Sequence, residues 1–189
     1  MTRAKYTDKN LVVDILSKSF DDNKSVNYII RKDRKRVQRI KLLMEYSFSV
    51  CYLFGDVFIS DNRDACVLLL CPEKKKMTVR SFVLDIKLVF TSLGLLNGFK
   101  AIRREAIIRK VHPSTAIYYL WFIGVEPLQQ NKGVGRKLLE EVIEEGRSER
   151  RTICLETSTL KNIPWYERHG FSVYKELDFG YKLYCMMRP

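Results

Sequence analysis

The chain has 189 residues, 46% hydrophobic and 30% charged, with 34 Lys+Arg against 22 Asp+Glu and a net charge of +12. That apolar content excludes global disorder, and the length supports one sizeable core but not two ordinary domains, so 1–189 reads as a single domain. Fibrous and collagen-like classes are excluded too, with only 9 Gly, 5 Pro and no low-complexity bias.

The first ten positions carry Arg3, Lys5, Asp8 and Lys9 where a secretory signal needs an apolar run. Asn10–Asp21 reads as a short amphipathic helix with Leu11, Ile15 and Leu16 near one face. Arg31–Lys41 then sets seven basic residues against one acid, Asp33. A block of this kind is either a solvated helix face or a surface for phosphates. Asp33–Tyr52 is expected as a longer helix, because Val37, Ile40, Met44, Phe48 and Cys51 recur in steps of three and four. Asp56–Ser60 and Ala65–Leu70, joined by Asp61-Asn62-Arg63-Asp64, read as an antiparallel hairpin ended by Cys71-Pro72.

Thr78–Leu96 and Phe99–Lys110 are helical by pattern, broken around Gly94 and Asn97-Gly98. Val79–Phe99 is the most membrane-like stretch, yet Asp85 and Lys87 interrupt it and the rest falls short of the roughly 20 residues a span requires. A buried or half-buried helix is the expectation there, with no membrane partner.

Thr115–Val125 is rich in aromatic and β-branched residues and reads as a buried strand stopped by Pro127. Gly133–Glu145 is a helix with Val134, Leu138 and Val142 on one stripe. A strand (Thr152–Glu156), a short helix (Ile163–His169) and two strands (Phe171–Leu177, Tyr181–Met187) complete the order. Asn162 is placed as the N-cap of the short helix, Pro164 in its first turn and Gly170 at its C-cap. The sum is an α/β or α+β three-layer arrangement. Five cysteines without a C-x-x-C pair indicate reduced thiols in a cytoplasm, and two distant histidines, His112 and His169, give no metal pattern.

Chemistry concentrates in Gln130-Asn131-Lys132-Gly133-Val134-Gly135-Arg136-Lys137, between the buried strand and a helix. Gly133 and Gly135 let backbone approach a bound group, the helix start offers unpaired N–H groups, and Lys132, Arg136 and Lys137 add charge. A pyrophosphate fits this description, as does an ordinary strand-to-helix loop. Neither the G-x-x-x-x-G-K-[ST] loop nor the G-x-G-x-x-G fingerprint is matched, which counts against NTPases and NAD enzymes.

The Q-x-x-G-x-G pattern at Gln130, Gly133 and Gly135, after Gly124-Val125-Glu126-Pro127, resembles the acetyl-CoA loop of the GNAT superfamily of N-acetyltransferases. A second block, Leu155-Glu156-Thr157-Ser158 followed by Asn162-Ile163-Pro164-Trp165-Tyr166-Glu167-Arg168-His169-Gly170-Phe171, resembles that family's second half. With His112-Pro113, it looks most like the puromycin N-acetyltransferase-like branch, although Ala116-Ile117 stands where that branch often carries His-Trp.

The resemblance implies a GNAT fold, a mixed and mostly antiparallel twisted sheet with helices on both faces. It implies an acetyl-CoA-binding half at 111–189 and an acceptor-side half at 1–110. Acetyl would pass from acetyl-CoA directly to the primary amine of a small molecule in a ternary complex, without a metal. The implied co-substrate contacts are Ile123, Gly124, Val125, Gln130, Asn131, Lys132, Gly133, Val134, Gly135, Arg136, Lys137 and Asn162. Tyr166 stands where the family places a tyrosine over the sulfur, and a phenol with a pKa of ~10 stays protonated to serve as general acid. Glu156 is the best carboxylate for a base, or else a structural hydrogen-bond acceptor beside the strands. Cys154 has no basic neighbour in sequence to activate it. The basic excess of the first half argues for an acceptor with little further positive charge. The reading from another class is a non-catalytic acyl-CoA- or nucleic-acid-binding module that uses Arg31–Lys41.

Overall fold

In the computed structural model, which describes residues 1–189, seven strands form one sheet: β1 (Thr2–Arg3), β2 (Gly55–Ile59), β3 (Ala65–Leu70), β4 (Ile117–Val125), β5 (Thr152–Thr157), β6 (Ser172–Asp178) and β7 (Lys182–Arg188). Their spatial order is β1-β2-β3-β4-β5-β7-β6, and every neighbouring pair is antiparallel except β4–β5. The helices are α1 (Lys9–Ser19), α2 (Lys24–Ile29), α3 (Arg36–Phe54), α4 (Val79–Leu88), α5 (Leu95–Val111), α6 (Val134–Ser148) and α7 (Ile163–Glu167).

The alternation of side chains along the central strands builds two cores. Cys66, Leu68 and Leu70 of β3 join Val12, Leu16, Met44 and Phe48 of α1 and α3 on one face. Ala65, Val67 and Leu69 join Leu138, Leu139 and Val142 of α6 on the other. The mixed, mostly antiparallel sheet with helices on both faces is therefore what forms.

Several elements differ from the sequence reading. β1 is a two-residue edge, too short to carry an alternation. α2 forms where the sequence reading placed no element, and Asn23 caps it by accepting from the Val26 N–H at 3.1 Å. Asn97-Gly98 does not break the second helix pair. The chain turns once, through a π-helical turn at Val89–Leu93 ending in Gly94 at φ 75°, and Gly98 lies inside α5. Asn162 precedes α7 without a side-chain cap hydrogen bond.

The largest departure is burial at Val79–Phe99. The α4–α5 pair buries only Ser81, Gly98 and Ile108, with Ser92 and Leu93 in the turn between. Val79, Phe82, Phe90 and Phe99 face outward. The inner side of the pair borders a cavity, so its apolar stripe has no core to enter. No helix is long and apolar enough to cross a membrane.

Candidate active site

Strands β4 and β5 pair only from Ile117 to Tyr119 against Thr152 to Cys154, and beyond that they part. The cause is visible in the register with β3. Leu68 faces Phe122 and Leu69 faces Leu120, so Trp121 is an extra residue, a β-bulge that bends β4 out of line. Between the separated strands lies a cavity of about 1000 Å³, and from Leu120 to Val125 the edge of β4 facing β5 has no strand partner.

The far end of β4 is pinned from two sides. The Val125 carbonyl accepts from Ser19 Oγ at 2.8 Å and from Gln130 Nε2 at 3.2 Å. Gly124 gives α1 its seat, since a Cβ there would stand 2.8 Å from Leu16 Cδ2. Asn131 (φ 63°) and Gly133 (φ 83°) then take left-handed conformations, which Asn and Gly tolerate best, and turn the chain into α6. Around Gly133 the position of a Cβ is empty to 4 Å, and Gly135 approaches only Val125 Cγ2 at 3.3 Å. The cavity wall here consists of Ile123, Val125, Gln130, Asn131, Gly133, Gly135 and Arg136.

Four residues singled out from the sequence lie outside that wall. Gly124 packs on α1. Lys132 Nζ donates to Gln129 Oε1 at 3.1 Å, and Lys137 Nζ donates to Asp61 at 3.3 Å. Val134 packs on the α6-side core.

The opposite wall is Leu155 to Ser158, Asn162, Trp165 and Tyr166. Tyr166 is 6% exposed, with Trp165 and Phe171 set edge-on against its ring. Burial pushes its phenol up, which keeps the proton on at any ordinary pH. Ser158 Oγ is buried without a hydrogen-bond partner.

At the base of the separation the Glu156 side chain is almost wholly buried. Its carboxylate accepts from the Tyr119 hydroxyl, and His112 Nε2 lies 3.3 Å from its other oxygen. Burial and then the Glu156 charge hold the Tyr119 phenol far above its ordinary value. Arg104 reaches the same region, donating to Ser25 Oγ at 2.7 Å and to the Tyr181 hydroxyl at 3.1 Å. Further along, the Tyr46 hydroxyl donates to Asp85 at 2.6 Å, with Glu105 also on the wall. Tyr119, Arg104, Tyr46, Asp85 and Glu105 belong to no local motif, so the sequence reading missed them. Glu156 itself and the His112-Pro113 lead-in were the sequence signals in this cluster.

All five cysteines are buried and unpaired. Burial, helped by the Glu156 charge, pushes the Cys154 thiol up to about 12, the opposite of what a nucleophilic thiolate needs. The basic Arg31–Lys41 block divides. Arg36 is tied to Asn27 and Asp21, both at 2.9 Å, and Arg39 to Asp33 and the Thr91 carbonyl, both at 2.6 Å. Those guanidiniums join helices; Lys32, Arg34 and Lys35 stay exposed.

Residues 91–173 match the family model described as the acetyltransferase (GNAT) domain, from the turn before α5 to the start of β6. The whole chain also overlays on solved structures. A Corynebacterium glutamicum protein described as histone acetyltransferase HPA2 and related acetyltransferase has TM-score 0.73 and 17% identity, covering 100% of this chain and 94% of that one. The C-terminal condensation domain of Ebony, solved with beta-alanyl-dopamine, has TM-score 0.71 and 13% identity over 99% and 96%. An N-acetyltransferase from Staphylococcus aureus has TM-score 0.58 and 14% identity over 98% and 97%. The chain has the GNAT fold. The stretch that matches the family model, residues 91–173, spans α5, the parted strands β4 and β5, the glycine loop, α6 and α7.

Proposed function

We propose that the protein is an acetyl-CoA-dependent N-acetyltransferase that moves acetyl directly to the primary amine of a small molecule in a ternary complex. The observation that carries this reading is the parting of β4 and β5 over one cavity, with the glycine loop on one wall and a protonated tyrosine on the other. Bound acetyl-CoA would supply an acyl group activated as a thioester.

The residues present fit that group. The unpartnered edge of β4 near Ile123 offers backbone groups to an extended amide-bearing arm. The open Gly133 and Gly135 positions leave the first N–H groups of α6 clear for a pyrophosphate. Ser158 Oγ and Asn162 provide polar atoms on the facing wall. Arg136 can turn from Glu140, its exposed partner at 2.8 Å, at small cost. Lys132 and Lys137 act from the rim, and Gly124 and Val134 through packing.

In the reaction, the amine nitrogen bonds to the acyl carbon, the C–S bond breaks, and the nitrogen loses a proton. Tyr166 donates its proton to the leaving sulfur. Glu156 takes the amine proton, because Tyr119 and His112 occupy only part of a carboxylate's acceptor capacity. Phe20, Val26, Ile29 and Leu43 wall the acceptor end, and the charged groups on the helical side of the cavity are Asp85 and Glu105 with Lys75, Arg104, Arg109 and Lys110. This composition suits an amine on an apolar body. Nearness to the puromycin-type branch rests on His112-Pro113 and Leu155–Ser158 and leaves the acceptor itself to be found by assay.

Acetyl-CoA at a hundredfold excess over its Kd should stabilise the fold by about 2.7 kcal/mol, read as a rise in Tm. Gly135→Asp should abolish the rise, because it puts a negative charge where the pyrophosphate is to sit. The variant should still fold, since an acidic residue suits the first turn of a helix. A parent that shows no rise, or a variant that binds like the parent, would remove the loop from the reading.

A further inference from the structure

The outer face of α4–α5 is where the protein's exposed apolar surface collects. Of 16 exposed large hydrophobic residues, ten lie between Met77 and Ile102, including Val79 (84% exposed), Phe90 (69%), Leu96 (82%) and Phe99 (72%). They are not scattered. Val79, Phe82, Val83, Ile86 and Phe90 follow i, i+3, i+4, i+7 and i+11, one stripe of a helix. Leu95 and Phe99 begin another along α5, and Ile102 carries it to the rim of the cavity. Gly98 packs on Val89, where an added Cβ would stand 3.3 Å from Cγ1, and this holds the two helices side by side at the turn.

Charge borders both stripes in a regular way. Arg80 and Lys87 each follow a stripe residue by one position, and Lys100 and Arg103 do the same on α5, so each stripe has cations along one flank. From Lys74 to Arg103 the chain has seven basic residues and one acid. That acid, Asp85, is half-buried against the Tyr46 hydroxyl.

We infer that this face docks on an anionic lipid bilayer, the apolar stripes entering the headgroup boundary and the flanking cations meeting lipid phosphates and carboxylates. An exposed patch this extensive marks an interaction surface, and an apolar helix face bordered by Lys and Arg is what a bilayer interface holds. A second copy of the chain is disfavoured by its own charge, because a two-fold contact through the same face sets its basic flanks against each other. The attachment is peripheral, as no helix can span. The inner side of these helices walls the cavity through Leu88, Val89 and Ala101, so docking sets the cavity against the lipid surface. This inference stands apart from the acetyl-transfer reading.

Flotation of the full chain with phosphatidylcholine vesicles, with and without phosphatidylserine, tests it. Binding is expected only with phosphatidylserine, and it should weaken as salt is raised. Replacing Lys87, Lys100 and Arg103 by alanine should cost about a hundredfold in affinity, from about fivefold for each cation. A Phe82→Ser/Phe90→Ser/Phe99→Ser variant should lose binding while keeping the parent's Tm, since those side chains touch no core. Equal or absent binding to the two vesicle types would overturn the inference. So would light scattering that shows a dimer which the serine variant makes monomeric, because a second copy would then cover the face.

Discussion

Helix α6 and the α4–α5 pair carry apolar residues at the same helical spacing and turn them in opposite directions. On α6, Leu138, Leu139, Val142 and Ile143 are buried against the sheet, and Gly146 comes so close that a Cβ would stand 2.9 Å from Ile153. Its outer face is polar, with Arg136–Glu140 and Arg147–Glu144 ion pairs. On α4 the stripe faces solvent, and the inward side holds Asp85, Leu88 and the cavity. Periodicity specifies that a helix has two faces. What lies beneath decides which face is buried, and beneath α4–α5 there is a hollow.

The sharpest break of this comparison is a pair of alanine substitutions followed by urea unfolding. Leu139→Ala empties a fully buried site and should cost about 2–5 kcal/mol. Phe90→Ala removes an exposed ring and should change stability by no more than about 0.5 kcal/mol. Comparable costs would mean that the α4–α5 face is packed in solution after all.

The next effect concerns how α1 seats the glycine end of β4. Gly124→Val sets new atoms against Leu16 and Ser19, whose nearest atoms would lie 2.8 and 3.1 Å from the Cβ. Both are side-chain ends that can shift, so a loss of about 1–3 kcal/mol is expected. Acetyl-CoA affinity should fall with it, because Ser19 also holds the Val125 carbonyl. Unchanged stability would show that α1 yields freely and does not fix the strand end.

The two regions also differ in how far the sequence discloses them. The Gln130–Gly135 loop and the Leu155–Phe171 block announce themselves because their chemistry is local. Gly133 needs its left-handed φ within the turn itself, and Tyr166 sits in the first turn of the short helix that follows β5. The separation of β4 from β5 is silent in the sequence, since Trp121 reads as one more aromatic in a strand and becomes a bulge only through the β3 register. Glu156 meets Tyr119 and His112 across 37 and 44 positions, a union made by topology. The solvent-facing stripe of α4 was the reading most in need of structure, because an outward and an inward stripe are written identically. Arg36 and Arg39 were likewise indistinguishable from their exposed neighbours until the Asp21 and Asp33 carboxylates came into place.

A smaller effect checks that last point by pH. The Arg39 hydrogen bond holds the Asp33 carboxyl below its usual range, down to about 2. A carboxyl depressed in the folded state contributes its stabilisation in full above the unfolded value, near 4, and loses it as pH falls through the folded one. The Tm of Asp33→Asn should therefore lie slightly below the parent's at neutral pH. The two should converge as pH approaches about 2. A constant gap across that window would show that the Asp33 charge is not what links the start of α3 to the turn before α5.

The central claim is that the cavity between the parted strands transfers acetyl with Tyr166 as its proton donor, and amine-dependent release of CoA thiol measures it directly. Tyr166→Phe keeps the ring packed between Trp165 and Phe171 and removes only the hydroxyl. Acetyl-CoA affinity should stay within a few-fold of the parent, while turnover should fall roughly 10²-fold, the lower end of what general acid catalysis contributes. Because burial keeps the phenol protonated, the parent's rate should also show no decline on the alkaline side from loss of this proton. A phenylalanine variant that releases thiol at the parental rate, with chemistry rate-limiting, would contradict the account.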